Sequence, residues 1–501
     1  MNTHPTNLYS AEIVAQLDKA AIESGIPGYT LMRRAGQALF DLILQDYPDA
    51  KKILILCGAG NNAGDGYVLA TVASRHGMDV QVASMIDPEQ LKGDAAQAYI
   101  HWSECGSTLS YKKADFSGAD IIVDALLGTG LARDVEGDWK KVVDAINQSH
   151  LPVISVDVPS GLNANTGAIF GTAVRAQQTL TFIGLKKGLF TGSGKACTGI
   201  VSYHDLEVPE EIIDSAEHDA ELLSLPSQLS LPARQPDSHK GKNGHVLVIG
   251  GNYGMAGAVI LAARAALRAG AGLVSVVTRP EHLAATIAAC PECMAYSSKN
   301  GEIPGGLLER VDCIAIGCGL GQDVWAQRLL MLAMQMNKPM VIDADALNLL
   351  ADQEQVPIPD HSVITPHPGE AARLLGESVA LVQQDRFAAA RALQKKFSTR
   401  VVLKGSGSIV QQAQKPGVCA FGNQAMATAG MGDVLSGVIA ACISQALCEY
   451  VNQGYDLDQA INVAVCLHGR AGDLAAQGDE RGLMASDVIE HIREAARNDA
   501  C

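Results

Sequence analysis

One short segment, Gly430-Met431-Gly432-Asp433, combines groups that suit phosphoryl transfer. It opens an apolar stretch that predicts a helix, and its glycines leave backbone N–H groups unobstructed at the positive end of that helix. Such a helix end stabilises a phosphoryl group during transfer. An aspartate one residue further along can accept the proton of an attacking hydroxyl. The structural alternative is an aspartate that only complements the helix dipole.

A second segment of the same half, Lys404-Gly405-Ser406-Gly407-Ser408, follows a predicted strand. It offers one cation, two hydroxyls and unobstructed amides, which together suit a phosphate. It is not a Walker A loop, which requires Gly-x-x-x-x-Gly-Lys-Ser/Thr. Gly194-Lys195-Ala196 fails the same test because it lacks both the first glycine and the hydroxyl.

The first half contains a glycine-rich segment, residues 58–66, between a predicted strand and a predicted helix. Gly58, Gly60 and Ala63 satisfy the Rossmann dinucleotide spacing, but on their own they more often mark a tight strand-to-helix turn than a phosphate site. The acid that a Rossmann site needs at the end of the second strand is missing, since Asp79 stands at that strand's start. Amide and carboxylate oxygens within the segment could instead bind ribose hydroxyls or a cation.

Two further loops of the first half carry polar groups at strand ends. Asp124 precedes a glycine loop, Gly128 to Asp134, and Asp157 begins the turn Asp157-Val-Pro-Ser160-Gly161. The carboxyl ends of parallel strands converge on one crevice, so the sequence predicts that these loops meet. A single strand-end aspartate is more often a helix cap, but three such loops favour a ligand site.

Strands and helices must position these groups. Unbroken apolar runs alternate along the chain with segments of helical periodicity, and this alternation predicts parallel sheets covered by helices on both faces. In the first half we expect strands at Lys52–Cys57, Asp79–Ser84, Ile121–Asp124 and Val153–Asp157, and helices near Ser10–Ser24, Thr30–Tyr47 and Tyr67–His76. In the second half we expect strands at His245–Gly251, Gly272–Thr278, Asp312–Ile316, Pro339–Asp343 and Arg400–Lys404, and two closing helices, from near Gly432 and over Leu457–Ala476. Between the halves, Leu206 to Asn243 is proline-containing and reads as a linker.

Composition agrees with two α/β domains. The chain has 501 residues, at roughly 150 per domain, and is 48% hydrophobic but only 18% charged, which excludes a disordered or coiled-coil protein. Its 50 glycines and 4% aromatic content indicate tight turns and aliphatic cores. The net charge of −16 argues against nucleic-acid binding.

The sequence shows neither a targeting signal nor a cysteine pattern typical of a zinc site or a disulfide-rich protein. The N-terminus lacks the basic and apolar regions of a signal peptide, and no apolar run approaches the ~18 residues of a membrane span. We therefore expect a cytoplasmic protein without membrane contact. The 12 cysteines include one Cys290-x-x-Cys293 pair with no second pair to complete a zinc site, so ordinary reduced thiols are expected.

The first half resembles the epimerase domain of bifunctional NAD(P)H-hydrate repair enzymes, through Asn61-Asn62-Ala63-Gly64-Asp65 and Asp157-Val-Pro-Ser160-Gly161. The family usually has Asn-Asn-Gly-Gly-Asp, and Ala63 is compatible with this pattern if its φ is negative. The resemblance implies a Rossmann-like three-layer sandwich over residues 1–218 that interconverts the R and S hydrates of NADH and NADPH at C6.

The resemblance also implies the residues of this first site. Asp157 is expected as a substrate contact and acid/base, and potassium is expected on Asn62, Asp124 and Ser160. One carboxylate with neutral oxygens suits that large, weakly polarising cation, and oxygen ligands select hard cations. The implied substrate contacts are Asn61, Asn62, Ala63, Gly64, Asp65, Gly128, Thr129, Gly130, Leu131, Ala132, Arg133, Asp134 and Asp157.

The second half resembles the ribokinase-like dehydratase domain of the same enzymes, over residues 219–501. The resemblance rests on the two segments that suit phosphate, 404–408 and 430–433, and on three further segments: Asn252–Ala258, Gly317–Gly321 and Thr365–Glu370. It implies that the S hydrate loses water at the expense of ADP, giving NAD(P)H, AMP and phosphate, with Asp433 as base. Magnesium is expected with the nucleotide at an unassigned position. The implied substrate contacts are Ala258, Gly319, His367 and Asp433, and the implied nucleotide contacts are Lys404, Gly405, Ser406, Gly407, Ser408 and Gly432.

Two other functions compete with this interpretation. An ATP-dependent kinase of a small vitamin-like alcohol would use the same phosphoryl-transfer groups, and a non-catalytic RNA-processing scaffold could carry a related first domain. The acidic charge and the intact acidic loops argue against the scaffold. Small-molecule substrates and a homo-oligomer are the expected partners.

Overall fold

The computed structural model describes residues 6–223, 234–353, 357–448 and 456–497. The chain divides into two compact units, Met1–Glu221 and Leu222–Cys501. The predicted boundary at residues 218/219 lies close to this division. Part of the predicted linker, residues 224–233, lies outside the described residues.

The first unit alternates strands with helices along most of its length. Its elements are β1 (Asn7–Tyr9), α1 (Ala11–Glu23), α2 (Gly28–Asp46), β2 (Lys52–Cys57), α3 (Asn61–Arg75), β3 (Asp79–Ser84), α4 (Gly93–Ser103), β4 (Thr108–Ser110), β5 (Ile121–Ala125), α5 (Gly137–Gln148), β6 (Val153–Val156), β7 (Gln178–Phe182), β8 (Leu185–Lys186), α6 (Gly194–Thr198), β9 (Ile200–His204), α7 (Glu210–Asp214) and β10 (Ala220–Leu223), whose last two residues belong to the second unit.

Seven parallel strands form the main sheet of this unit, in the order β4-β3-β2-β5-β6-β7-β9. Alternate residues of β2 face opposite layers. Ile53 and Ile55 pack with α1–α4, whereas Leu54 and Leu56 pack with α5. This is the three-layer sandwich expected of a Rossmann-like domain, and the predicted strands of this half are confirmed to within a residue.

Two predictions for the first unit were wrong. Helix α3 begins at Asn61, six residues before the predicted start, so most of the glycine-rich segment forms the first turn of a helix. Glycine and asparagine are weak helix formers, and packing of the turn overrides that preference. The predicted linker Leu206–Asn243 contains α7 and β10. Pro209 stands before the first helical residue of α7 and therefore interrupts no helical hydrogen bond.

The second unit is built on the same alternation. Its elements are β11 (His245–Ile249), α8 (Ala256–Arg268), β12 (Leu273–Thr278), α9 (Leu283–Ala289), β13 (Met294–Ser297), α10 (Leu307–Arg310), β14 (Cys313–Ile316), α11 (Val324–Gln335), β15 (Met340–Ile342), α12 (Ala344–Ala351), β16 (Val363–Ile364), α13 (Pro368–Leu375), α14 (Val379–Gln384), α15 (Arg386–Phe397), β17 (Arg400–Leu403), β18 (Ile409–Gln411), β19 (Gly417–Cys419), α16 (Met431–Cys448), α17 (Leu457–Ala476) and α18 (Ala485–Ala495).

Its strands follow the order β13-β12-β11-β14-β15-β16-β17-β18-β19, parallel up to β17 and antiparallel from there to β19. Helices α8, α16, α17 and α18 share one hydrophobic core with β11 and β12. The five strands predicted for this half are confirmed. Helix α18 was missed, since α17 was expected to close the chain.

Helix α16 carries the Gly-x-Gly-Asp segment at its start. It is 18 residues long with a mean hydropathy of 1.5, enough to cross a membrane, so the expectation that no segment approaches that length was wrong. However, 78% of the helix is buried inside the protein. It is the core helix of this unit, as in a soluble protein.

Two candidate active sites

The first site lies where the strand order of the first sheet reverses, between β2 and β5. Ligands of open parallel sheets bind at such a point, outside the carboxyl ends of the strands. The loops after β2 and β5 touch here, because a Cβ atom on Gly58 would lie 1.7 Å from the carbonyl oxygen of Leu126. Only glycine permits this approach.

The three residues predicted to bind potassium come together at this point. Asp124 is fully buried and accepts hydrogen bonds from the Ser160 hydroxyl (2.6 Å), the Ser160 amide (2.9 Å) and the Ser155 hydroxyl (2.9 Å). Burial raises the pKa of Asp124, and the bonds from Ser160 oppose that rise. The Asn62 side-chain amide donates to the carbonyl oxygens of Leu127 (3.2 Å) and Val156 (2.7 Å). One carboxylate is thus surrounded by neutral oxygens.

A second polar cluster contains Asp157, the predicted acid/base. Its backbone is left-handed, with φ of 64°, and directs the carboxylate toward Lys186, whose ammonium lies 2.5 Å from Oδ1. Lys186 is 1% exposed and also donates to the Thr181 hydroxyl (3.1 Å) and the Phe182 carbonyl (2.8 Å). All three ammonium protons are therefore committed, and Asp157 is fixed in place.

Two more carboxylates interact with this ion pair. Burial raises the pKa of Asp65 well above its ordinary value, and the charges of Asp157 and Asp18 raise it further, while Lys186 opposes them. The pKa of Asp18 is also raised, first by burial. The cluster therefore places two carboxyl groups with raised pKa values beside the ion pair of Asp157 and Lys186. Sequence reasoning missed Asp18 and Lys186, and the only signal was a lysine at the end of the largely apolar run of β7 and β8.

The remaining predicted contacts of the first site differ in placement. Ala63 and Gly64 are buried in the first turn of α3, and Ala63 is helical with negative φ, as the substitution requires. Gly128 touches Asn62, since a Cβ atom on it would lie 2.6 Å from Asn62 Oδ1. Thr129 and Leu131 are half-buried, and the exposed members are Asn61, Gly130, Ala132, Arg133 and Asp134.

The second site lies at the corresponding reversal in the second sheet, between β11 and β14. The Asn252 amide donates to the Gly319 carbonyl (2.7 Å), which joins the two strand-end loops. Gly319 has φ of 57°, and a Cβ atom on it would lie 3.1 Å from Cβ of Ala258. The predicted substrate contacts Ala258 and Gly319 are therefore neighbours.

Asp433 occupies the first turn of α16, as predicted. Burial raises its pKa to about 6, the charges of Asp343 and Asp345 add to the rise, and a Cys318 thiol hydrogen bond and Lys404 oppose it. A carboxyl group with this pKa is largely ionised at neutral pH yet still basic enough to accept a proton. The geometry therefore fits the role of a general base.

Lys404 lies beneath this turn in an ion-pair network. Its ammonium is 2.5 Å from Asp343 Oδ1 and 3.8 Å from Glu370 Oε2, and the Ser436 hydroxyl donates to Asp343 Oδ2 (2.7 Å). A Cβ atom on Gly432 would be 3.5 Å from both the Lys404 ammonium and Asp343 Oδ2. The two predicted phosphate-binding segments therefore meet. Lys404 is also committed to two carboxylates, which sequence reasoning did not foresee.

Two features complete the second site. The His367 Nδ1 accepts hydrogen bonds from the Gly369 and Glu370 amides (2.9 and 3.3 Å), so it caps α13, while 56% of its side chain stays exposed. After β17, Gly405 and Gly407 have φ of 141° and 59°, and Ser408 donates to the Gly405 carbonyl (3.1 Å). Gly405 and Ser406 are exposed.

Sequence reasoning missed several acids of the second site. Asp343 caps α12 and Asp345 accepts from the Gly321 amide (2.8 Å). Asp343 lies at the end of the predicted strand Pro339–Asp343, and Glu370 lies at the end of the segment Thr365–Glu370, but the sequence assigned no function to either residue. Their strand-end and helix-start positions were the available signal.

The fold and the two sites define the class of protein. The first unit is a Rossmann-like α/β domain with buried carboxylates and neutral oxygens at its topological switch point. The second is a ribokinase-like α/β domain with a buried aspartate, Asp433, at a helix N-terminus beside the segment 404–408. Such a chain is a two-domain enzyme acting on nucleotide substrates.

Comparison with known proteins identifies the family. Residues 246–494 match the family model described as NAD(P)H-hydrate dehydratase, and residues 28–188 match the one described as YjeF-related protein N-terminus. A bifunctional NAD(P)H-hydrate repair enzyme from Coxiella burnetii is 42% identical over 495 residues, covering 97% of this chain and 99% of that protein. The chain belongs to the family of bifunctional NAD(P)H-hydrate repair enzymes, with an epimerase domain before a dehydratase domain.

Two solved structures resemble the second unit. A ribokinase-like superfamily protein from Enterococcus faecalis V583 is 29% identical, covers 55% of this chain and 94% of its own, and has a TM-score of 0.50. An ADP/ATP-dependent NAD(P)H-hydrate dehydratase from Bacillus subtilis, co-crystallised with ATP and Mg²⁺, is 27% identical, covers 54% and 94%, and has a TM-score of 0.48. The family assignment does not favour the kinase of a vitamin-like alcohol.

Proposed function

We propose that each unit acts on hydrated NADH and NADPH through the residues described above. The first unit interconverts the R and S forms at C6, and the second converts the S form to NAD(P)H with consumption of ADP. The observation that carries this proposal is the pair of acids at the two switch points, Asp157 held by Lys186 and Asp433 at the start of α16.

Epimerisation requires reversible cleavage of the C6–O bond or of the C6–N ring bond, and the acids of this site suit the first route. Asp65, whose pKa burial raises well above its ordinary value, donates a proton to the C6 hydroxyl while the ring nitrogen's lone pair expels water. Water then returns to either face of the planar ring, and a carboxylate accepts the released proton. Asp157 is the second carboxylate, and its ion pair with Lys186 holds it in position.

Potassium fits the first site because Asn62, Asp124 and Ser160 supply one carboxylate with amide and hydroxyl oxygens. The carbonyl oxygens of Leu127 and Val156 face the same cluster. When bound, the cation would hold the two strand-end loops in place. We expect a requirement for a large monovalent cation.

Dehydration follows the logic of a kinase, because hydroxide leaves poorly and phosphate leaves readily. Asp433 accepts the proton of the C6 hydroxyl, whose oxygen attacks the terminal phosphoryl group of ADP and releases AMP. The ring nitrogen's lone pair then expels phosphate, and loss of the C5 proton restores the double bond. Amides of the α16 first turn stabilise the charge on the transferred phosphoryl group.

The nucleotide is expected on the segment 404–408 and Gly432. Asp343 and Glu370 supply hard oxygen ligands beside the segment, as magnesium prefers, although the described residues include no group of three or more His, Cys, Asp or Glu side chains placed to hold a metal. Magnesium carried mainly by the nucleotide phosphates agrees with this arrangement. When bound, it would screen the phosphate charge.

Separate variants test the division of labour. We expect Asp157→Asn to lose interconversion of the purified R and S hydrates but to retain ADP-dependent NADH formation from the S hydrate. Asp433→Asn should do the reverse, and Asp352→Asn, an exposed aspartate of the second unit, should change neither. Equal loss of both activities in folded Asp157→Asn or Asp433→Asn protein would contradict the proposal.

Two expectations about the whole protein remain proposals. We expect a cytoplasmic location and a homo-oligomeric state, and fractionation and light scattering test them. We also expect no RNA binding, which a gel-shift assay at low salt would reveal because phosphate contacts strengthen as salt falls.

A further inference from the structure

An exposed aromatic ring stands on a rigid support in the second unit. The Tyr253 side chain is 60% exposed, and the guanidinium of Arg279 lies 4.4 Å from its ring centroid. The same guanidinium lies 4.2 Å from the ring of Trp325, which is buried. We call Tyr253, Arg279 and Trp325 the aromatic platform. One face of Tyr253 is thus covered by a cation, and the other faces solvent.

The platform is built to hold its geometry. Arg279 is buried and donates to Asn252 Oδ1 (2.9 Å), Asp323 Oδ2 (2.9 Å) and the Lys299 carbonyl (3.3 Å). The backbone amide of Tyr253 donates to the same Asn252 oxygen (2.9 Å). An exposed tyrosine without such support would sample many rotamers, so this ring is pre-organised for contact.

Asn252 also connects the platform to the candidate dehydratase site. Its backbone amide donates to the Gly319 carbonyl (2.7 Å), and its side-chain amide donates to the Leu320 carbonyl (3.0 Å). Gly319 neighbours Ala258 and follows Cys318, whose thiol hydrogen-bonds to Asp433. Asn252 therefore joins the ring to the loop that carries the predicted substrate contact Gly319.

We propose that Tyr253 stacks against the adenine of the hydrated dinucleotide, an inference that rests on the proposed function. The hydrated nicotinamide ring has lost its planar conjugation at C5 and C6, so adenine is the flat ring of this substrate. Aromatic side chains bind bases by stacking. ADP is the other adenine source, but its expected segment, 404–408, follows β17, whereas Tyr253 follows β11 beside the substrate contacts.

Steady-state kinetics of the full-length protein test this assignment with two variants and two substrates. Tyr253→Ala should raise KM for the S hydrate of NADH by roughly tenfold, with kcat and the KM for ADP little changed, because stacking contributes equally to ground and transition states. Tyr253→Phe keeps the ring and should remain close to wild type. The hydrate of reduced nicotinamide mononucleotide lacks adenine, so wild type and Tyr253→Ala should process it equally.

Each arm has an outcome that overturns the proposal. Unchanged KM for the NADH hydrate in Tyr253→Ala would remove Tyr253 from the substrate site. An equal loss with the truncated substrate would show that the ring does not contact adenine, and a raised KM for ADP alone would assign it to the nucleotide. Circular dichroism of each variant reports folding, and wild-type NADH formation keeps a failure here distinct from failure of the proposed function.

Discussion

Replacing Asp433 by asparagine tests activity and stability together. The folded-state pKa of about 6 exceeds the ordinary 3.8, because burial penalises the ionised form. The native state therefore binds more protons than the unfolded state between these two values, and stability falls as pH rises through them. Above pH 6 the whole penalty is present. At about 1.4 kcal/mol per pH unit, it corresponds to about 3 kcal/mol.

Asparagine carries no charge at any of these pH values and can still accept the Cys318 hydrogen bond. We expect Asp433→Asn to exceed wild type in free energy of unfolding by up to about 3 kcal/mol at pH 7.5 and by less than about 1 kcal/mol at pH 4. Hydrogen exchange of α17 peptides in a urea series reports this for the second unit alone. Wild-type dehydration should fall about tenfold between pH 7 and pH 5 as Asp433 becomes protonated.

The variant should also lose dehydration by at least about 100-fold, the usual contribution of a general base. Its control is Asp352→Asn, which removes an exposed charge and should shift neither quantity. Two results would refute the assignment of a buried carboxylate with a raised pKa: a variant that is no more stable than wild type at pH 7.5, or one whose extra stability does not depend on pH. Dehydration retained at near wild-type rate would remove Asp433 from proton transfer.

Three further predictions concern neighbouring residues. Asp124→Ala should lower epimerisation and weaken its potassium dependence in a salt titration, and an unchanged titration would place the cation elsewhere. The pKa of Asp65 is raised well above its ordinary value, so epimerisation should decline as pH rises through that raised pKa. Asp65→Asn should abolish this decline together with most of the activity. An epimerisation rate that rises with pH would assign the proton to another group. Cys318→Ala removes a hydrogen bond that lowers the Asp433 pKa, so the acidic limb of the dehydration profile should move to higher pH, whereas an unmoved limb would show that the thiol does not position the carboxylate.

The sequence predicted the strands well because each is an unbroken apolar run with a clear end. Lys52–Cys57 and Asp79–Ser84 match the structure residue for residue. The start of α3 was less predictable, since Asn61, Asn62 and Gly64 are weak helix formers held in place by tertiary packing. Helix boundaries at glycine-rich turns depend on contacts that a local pattern does not contain.

The sites show a similar limit. Strand-end motifs placed Asp124 and Asp157 near their partners, because parallel strands bring their carboxyl ends together, and a helix-start motif placed Asp433. Lys186 and Asp18 lie on other elements, and only the folded sheet and α1 bring them to Asp65 and Asp157. The commitment of Lys404 to Asp343 likewise depends on two strands that are far apart in sequence.

The central claim, that one chain repairs both epimers of a hydrated dinucleotide, is tested most directly by feeding it a mixture of R and S NADH hydrates and following NADH absorbance. With ADP and potassium, wild type should convert the whole mixture, whereas Asp157→Asn should convert the S form and leave the R form to its uncatalysed rate. Failure of wild type to form NADH, or rapid and complete conversion by Asp157→Asn, would contradict the account.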